Sequence, residues 1–356
     1  MNTVEPMRVA VVGTGDISGE YLRNAAAFDE FEIVACTDLD GERAARVAGE
    51  FGIAATDFAA ILDDATIDLV LNLTPPAAHA PVSLEALRAG KHVYSEKPIA
   101  TTTAAARELV DAAAAAGVSL AGAPDTFLGP PYQEARRMLR DGAIGAPVAV
   151  LMSALYKPSE SWHPNPEFLY QPGAGPVFDM GPYFLHVLID LLGPVTRVSA
   201  LASTPVPERT IATGPLAGTS FQARTPTFVL ALLELACGVA ATLHASFDVA
   251  GSSLPRIEIQ GTRASLLLPD PDEADGELLL RRSTDETAER QVTRTAGAHD
   301  RRGAGVADQV RAILEGRRPR NAAELPVHAL EVMEAILESA QRRAPVDIPQ
   351  AHALIV

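Results

Sequence analysis

The sequence predicts an α/β fold in two parts: an N-terminal doubly wound parallel sheet, then an α/β domain with a large, mainly antiparallel open sheet. Three observations carry that prediction. Over the first 125 residues, short apolar β-rich runs alternate with amphipathic helix-like runs. From Gly129 the order changes to a helix, a strand, a loop rich in Pro and Gly, and an oily helix. Long strand-like runs joined by short turns then fill most of the chain as far as Arg282.

Taken in order, MRVAVVG is the first strand, and a helix follows from about Ser18 to Ala27. FEIVACTD precedes GERAARVAGEFG, DLVLNLT precedes HAPVSLEALRAG, and HVYSEKP precedes TTTAAARELVDAAAAAG; VSLAG closes the series. Continuous apolar strands between amphipathic helices signal a parallel sheet covered on both faces. The second part begins with the helix PPYQEARRMLRDG and the strand APVAVLMSA. After the oily helix come VTRVSALAS, TFVLALLEL, GVAATLHASFD, PRIEIQG, ASLLL and GELLLRR. Turns as short as Ala236–Gly238 make these strands antiparallel. The charged, irregular stretch from Thr284 to Arg302 reads as a surface loop, and helices at about 303–315 and 324–343 finish the chain. The expected domains are 1–125 and 126–356.

A length of 356 residues suffices for two domains with real cores. Apolar residues make up 47% and charged residues 21%, as in ordinary soluble proteins. No apolar run approaches the roughly 18 residues a membrane span needs, and MNTVEPMRVAVVG lacks the basic start of a signal peptide. Cys36 and Cys237 lie in apolar runs (VACT, LACGV) without a CxxC partner, so both are expected to be reduced core residues of a cytoplasmic protein. A net charge of −16 argues against nucleic-acid binding. No HxxxH or HExxH pairing is present, and no metal site is expected.

VVGTGDIS places Gly13-x-Gly15-x-x-Ser18 directly after a strand and at the start of a helix, with Asp16 and Ile17 inside the turn. The first glycine permits the tight turn, the second lets a pyrophosphate approach the backbone, and Ser18 is small enough for close helix packing. Asp38 ends the second strand, 20 residues past Ser18, where an acid would bind adenosine ribose hydroxyls. An acid there repels a 2′-phosphate, so NAD is expected rather than NADP. LNLTPPAAHA puts Thr74, Pro75, Pro76 and His79 at the carboxyl end of the third strand, the ligand side of an open α/β sheet. YSEKPIA puts Glu96 and Lys97 at the end of the fourth, with Lys97–Pro98 a candidate cis bond.

FDMGPYFLHVLID is apolar almost all round except for Asp179, Tyr183, His186 and Asp190, which at spacings of 4, 3 and 4 share one helical stripe. Such a seam needs partners or a ligand. Just before it, SWHPNPEFLYQPG gathers Trp162, His163, Phe168 and Tyr170, a mixture of aromatic faces and polar groups suited to a sugar. Packing beneath a long loop is the alternative for the aromatic residues.

The order strand–GxGxIS, TPPxxH, EKP and DxGPYxxxxxxxLLGPV resembles the Gfo/Idh/MocA oxidoreductases across essentially the whole chain; GAGVADQVRAILEG and PVHALEVMEAI also look typical. The resemblance implies an N-terminal Rossmann domain and a C-terminal α/β domain whose open sheet often makes an oligomer contact, here a dimer or tetramer. It also implies hydride exchange between NAD(P) and a sugar or polyol carbon. Lys97 matches the family's EKP lysine and Asp179 its D-x-G aspartate. Tyr183 stands where many members carry a catalytic histidine, His186 where many carry an aspartate, and Gly173-Ala174-Gly175 departs from the usual triple glycine. These departures argue against inositol as the substrate.

The resulting expectation is an NAD-dependent dehydrogenase that oxidises a secondary alcohol of a sugar, glycoside or cyclic polyol. Lys97 would hold the reacting oxygen, Asp179 would orient hydroxyls or Lys97, and Tyr183 would move the proton. His186 is the competitor for that last role, as the better intrinsic base near neutral pH. The helix is expected to begin around Asp179, with Gly181-Pro182 near its start. Two rivals are an NAD-dependent glycosidase acting by transient oxidation and elimination, and a non-catalytic sugar-sensing regulator.

Overall fold

The computed structural model describes residues 5–282, 289–291 and 302–348. The chain divides into two compact units, Met1–Gly129 with Ala296–Val327, and Pro130–Thr295 with His328–Val356.

The first unit opens with β1 (Met7–Val12), α1 (Ser18–Ala25), β2 (Phe31–Thr37), α2 (Gly41–Phe51), β3 (Ala54–Ala55), α3 (Phe58–Asp63), β4 (Leu69–Asn72), α4 (Pro76–Arg88), β5 (His92–Ser95), α5 (Thr103–Ala116) and β6 (Leu120–Gly122). The six strands form one parallel sheet in the order β3-β2-β1-β4-β5-β6. This is the doubly wound order whose direction reverses beside β1. Val9, Ala10 and Val11 are completely buried, as are Leu69, Val70 and Leu71, because helices cover both faces. Helix ends follow local chemistry. The Asp40 carboxylate accepts the Arg43 N–H at the start of α2, and left-handed Gly52 ends that helix at φ 69°.

The second unit contains α6 (Pro130–Arg140), β7 (Pro147–Leu155), α7 (Pro176–Leu192), β8 (Val195–Ser203), β9 (Glu208–Thr210), β10 (Ser220–Gln222), β11 (Phe228–Leu235), β12 (Ala240–Ser246), β13 (Ile257–Gly261), β14 (Ser265–Leu268), β15 (Leu278–Arg281) and β16 (Glu289–Gln291). The chain then runs through α8 (Ala304–Glu315), α9 (Glu324–Arg342) and β17 (Val346–Asp347). A nine-stranded sheet has the order β16-β15-β14-β13-β7-β12-β11-β8-β17. Only the β12–β7 pair is parallel; the other pairs are antiparallel. Helix α7 packs on β7, β12 and β11. Strand β11 accordingly alternates: Val229, Ala231 and Leu233 are buried while Leu230 and Leu232 are exposed.

Four expectations need correction. Helix α8 belongs to the first unit, so that unit is not one continuous stretch of chain. The cause is packing: Ala304, Val306, Ala307 and Val310 share a core cluster with Val9, Leu71 and Tyr94, and the Gln309 amide donates to Val93 O at 3.0 Å. Cys36 is buried, but Cys237 is exposed, because it sits at the tip of the β11–β12 turn rather than inside a strand. The loop expected over Thr284–Arg302 lies mostly outside the described residues, and within it Glu289–Gln291 pair with β15 as a strand. Helix α7 begins at Pro176, so Pro182 lies inside it rather than near its first residue.

Candidate active site

At the β1–α1 turn, Gly13 has φ 98°, and a Cβ there would lie 2.7 Å from Leu73 O, so only glycine fits. A Cβ at Gly15 would meet nothing within 4 Å, so the crest of the turn is open. Ser18 is buried, and its hydroxyl donates to Gly15 O at 2.7 Å, which closes the turn onto the first residue of α1. Gly15 and Asp16 are exposed beside it, and Ile17 is half-buried. The result is bare backbone at a helix start, the arrangement a pyrophosphate takes.

Asp38, just past β2, turns back onto this loop. Its Oδ2 accepts the Thr14 N–H at 2.7 Å and the Thr14 hydroxyl at 3.0 Å. Its Oδ1 accepts Arg43 Nη2 at 2.6 Å and the Asp40 N–H at 2.9 Å, and Arg43 Nε reaches Oδ2 at 3.3 Å. Burial pushes the Asp38 carboxyl up, but the Arg43 guanidinium and the Asp40 and Thr14 donors outweigh it and hold the carboxyl well below the usual range.

Beyond β4, Asn72 organises the turn into α4. Its Oδ1 accepts the Thr74 hydroxyl at 2.7 Å, and its amide donates to His79 O at 2.9 Å. Pro75 caps α4 and Pro76 is its first residue; both are exposed. His79 is 1% exposed, and its ring nitrogens lie 2.6 Å from Thr74 O and 2.6 Å from Pro98 O. His79, expected at the cofactor, thus lies with its two ring nitrogens facing carbonyl oxygens of the TPP turn and the EKP turn, and it links those turns.

The EKP turn is held from its other side as well. Glu96 is buried; its Oε2 accepts the Lys97 N–H at 2.8 Å and its Oε1 accepts the Tyr21 hydroxyl at 3.0 Å. Burial, and then the Glu96 charge, raise the Tyr21 phenol well above its ordinary range, so it remains a donor. Helix α1 thus grips the turn that carries Lys97. The Lys97–Pro98 bond is cis, and the Lys97 side chain is half-buried.

In the second unit the polar seam of α7 separates into parts. Asp190 is paired with Arg136 of α6 at 2.6 Å and is structural. Tyr183 is 5% exposed and His186 1% exposed, one and two turns beyond Asp179, which occupies the first turn and is half-buried. Gly175 starts the helix at φ 89°, where a Cβ would meet Pro226 O at 3.0 Å. In the preceding loop, Trp162 and His163 meet edge-on with centroids 5.5 Å apart, and His163 and Phe168 do so at 5.4 Å. Trp162 and Phe168 remain 58% and 57% exposed, so they form an open aromatic surface rather than a packed core.

What fixes that loop was not legible in the sequence. Arg209, 3% exposed, pairs with Glu160 at 3.0 Å and with Asp248, and lies 5.1 Å from the centre of the Tyr170 ring. The Tyr170 hydroxyl donates to Glu160 and accepts the Ser159 N–H at 3.0 Å. Sequence reading also passed over Thr14, Tyr21 and Arg43. Of these, Arg43 carried a visible signal, a basic residue five positions past Asp38 in the first turn of a helix.

Family models match both parts of the chain. The model described as "Oxidoreductase family, NAD-binding Rossmann fold" matches residues 7–122, and the "GFO/IDH/MocA C-terminal domain" matches residues 132–267. The chain belongs to the Gfo/Idh/MocA oxidoreductase family. It is 29% identical over 268 residues to the 1,5-anhydro-D-fructose reductase of Ensifer adhaerens, covering 73% of this chain and 75% of that one. Identity to the levoglucosan dehydrogenase of Pseudarthrobacter phenanthrenivorans is 26% over 352 residues, 89% of each chain. The match to the D-apiose dehydrogenase of Paraburkholderia graminis is 33% identical but spans only 54% of that protein. Among solved structures, a levoglucosan dehydrogenase in complex with NADH and L-sorbose superposes with a TM-score of 0.83 at 24% identity, covering 97% of this chain and 99% of that one; this likeness concerns the fold. The chain is therefore an NAD-binding oxidoreductase, and the open Gly13–Ser18 turn and the Asp38 carboxylate fit that cofactor. No helix among the described residues is long and apolar enough to cross a membrane.

Proposed function

We propose that this oxidoreductase oxidises a secondary alcohol of a sugar, glycoside or cyclic polyol to a ketone. The observation that carries the reading is the EKP turn: Lys97 stands at the carboxyl end of β5 on a backbone held by Glu96 and His79. Relatives named for anhydrosugar and apiose chemistry support the substrate class. Bound NAD supplies the acceptor for the hydride. Lys97 donates a hydrogen bond to the reacting hydroxyl oxygen and stabilises the alkoxide character that develops there. Tyr183 receives the hydroxyl proton, Asp179 accepts hydrogen bonds from neighbouring hydroxyls, and Trp162, His163 and Phe168 offer ring faces to apolar C–H surfaces. His186 supports Tyr183 from deeper in α7. The exposed leucines 201, 230 and 232, on β8 and β11, support a homo-oligomer formed through the open sheet.

Product analysis tests the reaction class. NADH together with an intact keto sugar is the expected result, whereas glycoside cleavage without net NADH would identify the eliminating glycosidase instead. Asp38 is assigned to the adenosine ribose, with Thr74, Pro75, Pro76 and Glu96 shaping the cofactor's edge of the sheet. Asp38→Ser should weaken NAD binding by about tenfold or more, the worth of one charge-assisted hydrogen bond, and should relax discrimination against NADP with the fold intact. Titration calorimetry of both nucleotides reads this directly, and unchanged NAD affinity would remove Asp38 from the site.

A further inference from the structure

The loop that carries Trp162, His163 and Phe168 is closed on itself by side chains of the second unit. The Tyr170 hydroxyl donates to the Glu160 carboxylate and accepts the Ser159 N–H at 3.0 Å, so both ends of the loop meet at one phenol. The Tyr170 ring sits between Phe221 and Phe247, with centroids 5.2 and 5.6 Å away. Glu160 is fixed in turn by Arg209, in the middle of β9, at 3.0 Å. Arg209 also pairs with Asp248, whose Oδ2 accepts the buried Thr227 hydroxyl at 2.7 Å. Thr227 precedes β11 and Asp248 follows β12, so the contacts run from the edge of the nine-stranded sheet to the loop. The loop backbone is tied too: Ala212 N–H donates to Glu160 O at 2.9 Å and Arg224 N–H to Tyr170 O at 2.7 Å.

Two carboxylates around one buried guanidinium are costly in desolvation, and apolar side chains of the same volume are often as stable. What the network supplies is direction. We propose that Tyr170, Glu160 and Arg209 are positioning residues, a staple that holds the sugar loop in its binding conformation before the sugar arrives. The role of the loop rests on the substrate class proposed above. A loop already held in one shape loses less conformational freedom when a ligand settles on it, so affinity rises without a new contact. The same staple sets the entry to α7, because Gly175, soon after Tyr170, donates its N–H to Leu169 O at 2.9 Å and leads into the turn of Asp179. Burial and then the hydrogen bond to Glu160 raise the Tyr170 phenol above its ordinary range, so it stays a donor at neutral pH.

Trp162 is the sole tryptophan of the chain, so its fluorescence reports this loop and nothing else. Anisotropy and acrylamide quenching are measured on the wild type, Tyr170→Phe, Arg209→Gln and Arg209→Lys with NAD bound, and thermal unfolding reports whether each variant is folded. Tyr170→Phe loses one hydroxyl and keeps its ring, so it decides the matter even where Arg209→Gln does not fold. Its anisotropy should fall and its quenching rise while NAD affinity is unchanged; Arg209→Gln should do the same, and Arg209→Lys should restore part of the loss. With levoglucosan or D-glucose, whichever yields NADH, Tyr170→Phe should raise the sugar KM by about tenfold and lower kcat by less. Loosening of the loop with no NADH from either sugar would uphold the staple and count against the substrate class. Wild-type fluorescence in a folded Tyr170→Phe, or a fall in kcat with the sugar KM unchanged, overturns the proposal.

Discussion

Replacing Lys97 with methionine is expected to lower turnover by about 10²- to 10⁴-fold, the usual worth of a positioned proton-handling group, while NAD affinity changes little. Methionine keeps much of the stem's length but removes the charge and the donors. The backbone of the turn should survive, because its bonds run through the Lys97 N–H to Glu96 and through Pro98 O to His79, neither of which uses the lysine side chain. Loss of turnover with intact NAD binding would therefore report chemistry and not collapse. Near-normal turnover would reduce Lys97 to a loop residue.

Tyr183→Phe should produce a loss of similar size, about 10²- to 10⁴-fold, whereas His186→Asn should keep the wild-type pH profile with at most a weaker apparent affinity. The assignment follows from depth along α7. Asp179 lies in the first turn, Tyr183 one turn on, and His186 is 1% exposed a further turn into the helix. A phenol ordinarily ionises near pH 10 and an imidazole near 6.5, so the pH profile distinguishes the two bases. Should the basic limb vanish in His186→Asn while Tyr183→Phe stays active, histidine is the base and the assignment fails.

The elements that periodicity could reveal were those with a strong local pattern. Each strand of the parallel sheet longer than two residues appeared as an apolar run, and the glycines of the β1–α1 turn announced a conformation other residues resist. Short pieces did not stand out: Ala54–Ala55 and Glu208–Thr210 are strands only because a partner strand lies beside them. The membership of α8 in the first unit was hidden for a related reason, since Val306 and Val310 reveal an apolar face but not what it covers. At the site, residue types predicted positions better than partners. Asp38 was legible as an acid at a strand end, but its saturation by Thr14, Asp40 and Arg43 depends on side-chain directions that spacing does not encode. His79 illustrates the same limit. The motif placed it at the ligand edge, and only the fold shows its two nitrogens facing carbonyls from separate turns.

Transfer of a carbon-bound label tests the central claim most directly. A sugar, glycoside or inositol that yields NADH is prepared with deuterium on its ring carbons and incubated with the protein and NAD. The account predicts one deuterium per turnover in the nicotinamide ring and a ketone at the carbon that lost it, with the skeleton intact. Label that stays on carbon or washes into water, or an aglycone released with no labelled NADH, would contradict it.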